Sequence, residues 1–202
     1  SARKTVRSIV EADCRYLEED VRSFTDGFDS VFLPFREVLL EILPKSCHKG
    51  YSQDREINFD VFRRLLLRED DVRIPIKDRF KGKFDRSCSA ELCWHVLRSY
   101  IKGFSPKGFM DVGSYRTLPG EDRSVEESHF QTVFEKVWPW YRSLTVEGEY
   151  WDQQDLAREV LTGLRDRDFG LPPRLEECTA VFCDEAQDLT GVELNLVLHL
   201  SV

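Results

Sequence analysis

Along the first three quarters of the chain, apolar positions recur every three to four residues, a spacing that gathers them on one face of a helix. Ile9, Val10, Leu17, Val21 and Phe24 open the pattern. Pro34 then starts an amphipathic helix bearing Phe35, Val38, Leu39, Ile42 and Leu43, and Phe59, Phe62, Leu65 and Leu66 mark another beyond a polar loop at 44–57. Ser89 stands where it can cap a helix with Leu92, Cys93, Val96, Leu97, Tyr100 and Ile101 on one face, ended by Gly103. The glycine and proline content of 104–120 predicts a loop without further regular structure. Ser124 and Glu127 have capping-box spacing ahead of Phe130, Val133, Phe134, Val137, Trp138 and Tyr141, a stripe that Pro139 should kink or split. Asp152 caps the next helix, with Leu156, Val160, Leu161 and Leu164.

Two segments break the helical period. Ser30 to Leu33 is short, apolar and β-prone, and Thr179 to Cys183 is an unbroken apolar run bounded by Gly170, Pro172 and Pro173, as expected of a strand buried on both faces. Thr190 and Glu193 again have capping-box spacing, with Val192, Leu196 and Leu200 on the inner face of a following helix. The acids Asp184 and Glu185 therefore fall on a strand-to-helix loop. The fold class expected is α/β but predominantly helical. Residues 35–150 form a mainly helical unit, and an α/β piece follows at 151–202.

Composition narrows the picture. A chain of 202 residues with 41% hydrophobic content can bury a substantial core. A net charge of −8 excludes a globally basic protein, so any nucleic-acid contact must come from a local patch. No apolar stretch is long enough to span a bilayer, and the start at Ser1 lacks the apolar core of a signal peptide, so no membrane partner and an intracellular location, cytoplasmic or nuclear, are expected. Six scattered cysteines without a C-x-x-C pair read as reduced structural thiols. The start without methionine, and a last segment that reads as an unfinished apolar helix, suggest an excerpt of a longer protein.

The chemistry concentrates in Asp184, Glu185, Ala186, Gln187 and Asp188, directly after the apolar run. At the carboxyl end of a parallel strand, one acid can hold a hydrated magnesium ion while its neighbour polarises an attacking water, the division of labour that phosphoryl transfer requires. The competing reading is an ordinary exposed loop after a core strand.

This D-E-A-Q-D run resembles motif II, the Walker B element of superfamily 1 helicases of the UvrD/Rep type. Tyr150 to Leu156 is similar to the aromatic and D-x-x-D-L segment that precedes motif II in that family. Ser99 to Gly103 is similar to part of the insertion in its larger members. The resemblance implies a partial RecA-like P-loop NTPase core interrupted by a helical insertion. Residues 1–34 and 151–202 would belong to the core, and 35–150 to the insertion. It further implies ATP and Mg2+ as cofactors, Asp184 and Glu185 at the metal, Glu185 as general base, and Gln187 at the γ-phosphate. A single-stranded nucleic acid, DNA in preference to RNA, and the rest of a helicase chain would be the partners. Two departures stand out. Leu33 and Pro34 occupy the place of a threonine expected to touch the strand, and the sequence holds no G-x-x-x-x-G-K-S/T phosphate loop. The chain is therefore not expected to hydrolyse ATP alone.

Other residues invite weaker readings. Lys77, Arg79, Lys81 and Lys83, interleaved with Phe80 and Phe84, could grip phosphates and stack a base, against a solvated connector as the alternative. Trp138, Trp140, Tyr141, Tyr150 and Trp151 could stack bases, but large aromatics at helical spacing usually fill cores. His48 beside Cys47, and His95 near Cys88 and Cys93, lack the four convergent ligands of a structural metal site. Two function classes remain: a helicase or translocase motor, or a helicase-like domain that has lost catalysis and serves as a binding scaffold.

Overall fold

The computed structural model describes residues 34–67, 88–177, 181, 183 and 185–200, which are predominantly helical. In chain order the helices are α1 (Phe35–Ile42), α2 (Phe59–Leu67), α3 (Ala90–His95), α4 (Val112–Thr117), α5 (Glu127–Lys136), α6 (Trp138–Thr145), α7 (Gln153–Asp166), α8 (Pro173–Glu176) and α9 (Gly191–Leu200). Among the described residues, no helix is long and apolar enough to cross a membrane.

Local chemistry accounts for most of these boundaries. Ser89 Oγ accepts the Leu92 N–H at 3.1 Å and starts α3, which runs on as a π-helical stretch, Val96–Lys102, up to Gly103. Asp152 caps α7 with a full capping box, Asp155 reaching back to the Asp152 N–H. Pro139 splits the aromatic stripe as expected, sitting in the first turn of α6, where its missing N–H costs nothing.

Two expectations are corrected. The loop at 104–120 contains α4, because Asp111 Oδ1 accepts the Ser114 N–H at 2.7 Å and so caps a helix inside a glycine- and proline-rich stretch. Ser124 does not cap α5. Its hydroxyl lies 2.8 Å from Tyr100 Oη and 2.9 Å from His95 Nε2, while Glu127 turns outward to Arg116 at 2.5 Å. Tertiary partners outbid the local box.

The apolar side chains form two cores. The first joins α2, α3, the π-helical stretch and α4 to α6, with Phe62, Trp140 and Tyr141 at its centre and Tyr115 stacked on Phe130 at 4.0 Å between ring centroids. The second joins α1 (Leu39, Ile42) to α7 (Leu156, Val160, Leu161) and α9 (Val192, Leu196). Trp138, Trp140, Tyr141 and Trp151 are all buried, so these rings fill cores, whereas Tyr150 is 40% exposed.

Beyond the helices, an isolated parallel bridge pairs Glu56 with Trp151, and the Trp151 indole N–H donates to the Ser52 carbonyl at 2.8 Å. These contacts fasten the polar loop before α2 to the start of α7. The N-terminus of α9 docks where the π-helical stretch ends: the Val192 N–H donates to the Gly103 carbonyl at 2.8 Å. A Cβ on Gly103 would lie 2.7 Å from the Thr190 Cβ, and one on Gly191 would lie 2.3 Å from the Phe104 carbonyl oxygen. Both glycines are therefore required by close approach.

No strand forms among the described residues. Of the expected strand at Thr179–Cys183, Val181 and Cys183 are described, and both are exposed, Val181 at 41%, instead of buried on two faces. An apolar run becomes a buried strand only when neighbouring strands pair with it and helices cover it, and no described segment does so here. The strand expected at Ser30–Leu33 and the helical pattern around Ile9–Phe24 lie outside the described residues.

Candidate functional site

The acidic segment ends in a tight turn. Glu185 adopts the left-handed conformation (φ 55°, ψ 41°), and a single 3-10 turn, Ala186–Asp188, follows. A left-handed residue other than glycine is uncommon and strained, and such strain concentrates at working sites. Glu185 and Gln187 are both exposed, and the Gln187 amide donates to the Glu185 carboxylate. The turn therefore presents a carboxylate and an amide side by side to solvent. Asp184 lies outside the described residues.

Behind this surface the turn is held by buried polar groups. The Thr190 N–H donates to Glu193 Oε2 at 2.7 Å, and the Glu193 N–H approaches Thr190 Oγ1 at 3.4 Å, so the expected capping box forms at the start of α9. Thr190 Oγ1 also donates to Gln154 Oε1 at 2.8 Å. Glu193 is fully buried and receives Arg98 Nη2 at 3.0 Å and the Gln153 amide. Arg98 Nη1 donates to the Asp188 carbonyl at 3.1 Å. One guanidinium thus binds both the acidic turn and the helix that follows it.

A second charged cluster lies one helical turn further on. Lys102 is fully buried, and its Nζ donates to Asp152 Oδ2 and Asp155 Oδ2, each at 2.7 Å. Tyr141 Oη donates to Asp152 Oδ2 at 2.6 Å, and Asp152 Oδ1 accepts the N–H groups of Gln154 and Asp155. Burial and the neighbouring Asp152 charge push Tyr141 well above the usual phenol range, so it stays a donor. Burial raises Asp152, but the Lys102 charge and the hydrogen bonds from Lys102 and Tyr141 outweigh it and hold this carboxyl below its usual range. Burial and repulsion from Asp152 push Asp155 up to about 6. Arg158 completes the arrangement, donating to the carbonyls of Lys102, Ser105 and Pro106 and thereby fixing the loop after Gly103.

The raised Asp155 carries a pH signature. A carboxyl that binds its proton more tightly when folded contributes most to stability below its unfolded value, near 3.8, and loses that contribution as pH climbs through its folded value of about 6. Asp155→Asn removes this titration while keeping an acceptor for Lys102. The expected result is a flatter stability profile between those two pH values, read by urea unfolding at several pH values; an unchanged slope would assign the titration elsewhere.

The remaining candidates separate clearly. His95 lies between Ser124 and Ser99, and His48 Nε2 is 2.9 Å from the Leu43 carbonyl. Among the described residues, no group of three or more histidines, cysteines or acids converges as metal ligands. Lys77, Arg79, Lys81 and Lys83 lie outside the described residues. Arg98, Lys102, Arg158 and Glu193 did not emerge from the sequence as site residues. Spacing gave no signal for the two cations of the helix: Arg98 and Lys102 share its polar side with Glu91 and His95, where a solvated charge is the ordinary reading, and only the fold buries Lys102.

Comparison with known proteins adds no relative: no family model, curated protein or solved structure matches the chain.

Proposed function

We propose that the chain supplies the hydrolytic motif of an ATP-dependent nucleic-acid motor resembling the UvrD/Rep superfamily 1 helicases, built around a RecA-like α/β core with the helical unit as its insertion. The observation that carries this reading is the D-E-A-Q-D run at 184–188, with Glu185 and Gln187 exposed together on a strained turn closed by a capping box. Carboxylates on an open turn suit magnesium, which keeps most of its waters and takes one or two carboxylates from the protein. When bound, the magnesium ion would supply the positive charge that offsets charge developing on the transferred phosphoryl group. Asp184 would hold the hydrated ion through its water shell. Glu185 accepts a proton from the attacking water, and Gln187 orients its amide toward the γ-phosphate. Single-stranded DNA would be the track, with Lys77, Arg79, Lys81 and Lys83 as candidate phosphate contacts.

The test is steady-state ATP turnover by the intact protein, with and without single-stranded DNA, as a function of magnesium. Asp184→Asn is expected to move the magnesium titration to higher concentration, because a neutral amide holds a hydrated dication poorly. A magnesium curve that overlays the wild type would reject the assignment, and absence of turnover under all conditions would favour a scaffold.

A further inference from the structure

We infer that Arg98 is a positioning residue for the acidic turn, a clamp through which the helical unit sets the placement of Glu185 and Gln187; this rests on the hydrolytic reading above. Arg98 belongs to the π-helical stretch, whose neighbours Val96, Leu97, Tyr100 and Ile101 are anchored in the first core. Its guanidinium leaves that core to bond the Asp188 carbonyl at 3.1 Å and the buried Glu193 carboxylate at 3.0 Å. Arg98 reaches its two targets with separate nitrogens of one planar fork, Nη1 and Nη2, a geometry that a lysine ammonium would have to reproduce from a single atom.

The geometry beneath makes the clamp stiff. Glu193 cannot retreat, because it is fully buried and already engaged by the Thr190 N–H and the Gln153 amide. Gly103, five residues beyond Arg98, carries the N-terminus of α9 against the same stretch. Among the described residues, the bonds within the turn are short-range: Asp188 N–H to the Glu185 carbonyl, Leu189 N–H to the Ala186 carbonyl, and the Gln187 amide to the Glu185 carboxylate. Among the described residues, the π-helical stretch therefore holds the turn itself at the Asp188 carbonyl through Arg98 and the start of α9 at the Gly103 carbonyl, and the left-handed Glu185 stands three residues before the carbonyl that Arg98 holds. Coupling of this kind acts on the chemical step: a misplacement of a catalytic group by one ångström lowers turnover without loosening the nucleotide.

The experiment compares wild type, Arg98→Met, Arg98→Lys and Glu193→Gln in the intact protein, with Glu185→Gln as a reference. Arg98→Met keeps the apolar stem and removes both bonds. It is expected to lower kcat about tenfold to a hundredfold while KM for ATP stays near wild type. Arg98→Lys should recover part of the loss, and Glu193→Gln, which keeps the helix cap but weakens the ion pair, should fall between wild type and Arg98→Met. Hydrogen exchange at the Asp188 and Leu189 amides gives a readout independent of turnover, and both should exchange faster in Arg98→Met. If Arg98→Met fails to fold, Glu193→Gln and Arg98→Lys carry the same comparison. Wild-type kcat in the Arg98 and Glu193 variants, with turnover abolished in Glu185→Gln, would overturn the inference alone. Unaffected turnover in Glu185→Gln would overturn the hydrolytic reading and this inference with it.

Discussion

Lys102→Met is expected to destabilise the protein by about 3–5 kcal/mol at neutral pH, the usual consequence of removing one member of a buried charged cluster. Lys102 is fully buried between two carboxylates at 2.7 Å, and methionine matches its stem without supplying a charge or a donor. Asp152 would retain the Tyr141 hydroxyl and two backbone N–H groups, so it remains the ionised member. Asp155, already pushed up to about 6 by burial and by Asp152, would lose the cation bonded to it, with Arg158 left as a more remote charge, and be driven to hold a proton. The defect should therefore shrink as pH falls, because acid supplies the proton that relieves the repulsion. Thermal melts should show a drop on the order of 10 °C at pH 7 and a smaller one at pH 5. A drop of equal size at both values would show that lost packing, and not unpaired charge, dominates.

The helical elements were legible because their signals are local. Ser89, Asp152 and the Thr190–Glu193 pair each satisfy backbone groups within three residues, and Pro139 acts on its own turn. Ser124 has the same local pattern, yet its hydroxyl is taken by Tyr100 and His95, twenty-four and twenty-nine residues away. Spacing along the chain cannot register competition from such distant partners. The buried aromatics Trp138, Trp140 and Trp151 follow from helical spacing and size.

The candidate site divides in the same way. Glu185 and Gln187 were legible from residue type and order, because a motif names its side chains directly. The groups that hold them were not. Arg98 and Glu193 are separated by ninety-five residues, and Lys102 from Asp152 by fifty, so nothing short of the folded topology brings them together. Of the segment Ser99 to Gly103, Tyr100 and Ile101 were legible as an apolar helical face and Gly103 as its end, while Lys102 drew notice only through a resemblance. The structure gives each a physical role: Tyr100 bonds Ser124, Lys102 neutralises Asp152 and Asp155, and Gly103 admits the start of α9.

Glu185→Gln is expected to abolish ATP turnover by the intact protein while nucleotide binding survives. The amide preserves the size of the side chain and can still meet the Gln187 amide through its carbonyl oxygen. It cannot accept a proton from the attacking water at neutral pH, and loss of a positioned general base commonly costs about 10²–10⁴-fold. Because Glu185 is exposed and lies outside both apolar cores, the substitution should leave the melting temperature near wild type. That separation matters, since a stability defect would lower turnover without implicating the carboxylate. Gln187→Ala supplies a second comparison, for it removes the neighbour of Glu185 but leaves the base in place, so turnover should fall less than in Glu185→Gln. Single-turnover hydrolysis and binding of a fluorescent ATP analogue, measured side by side, distinguish the outcomes. Turnover equal to wild type in Glu185→Gln would remove the general base from the acidic turn and reduce it to an exposed loop.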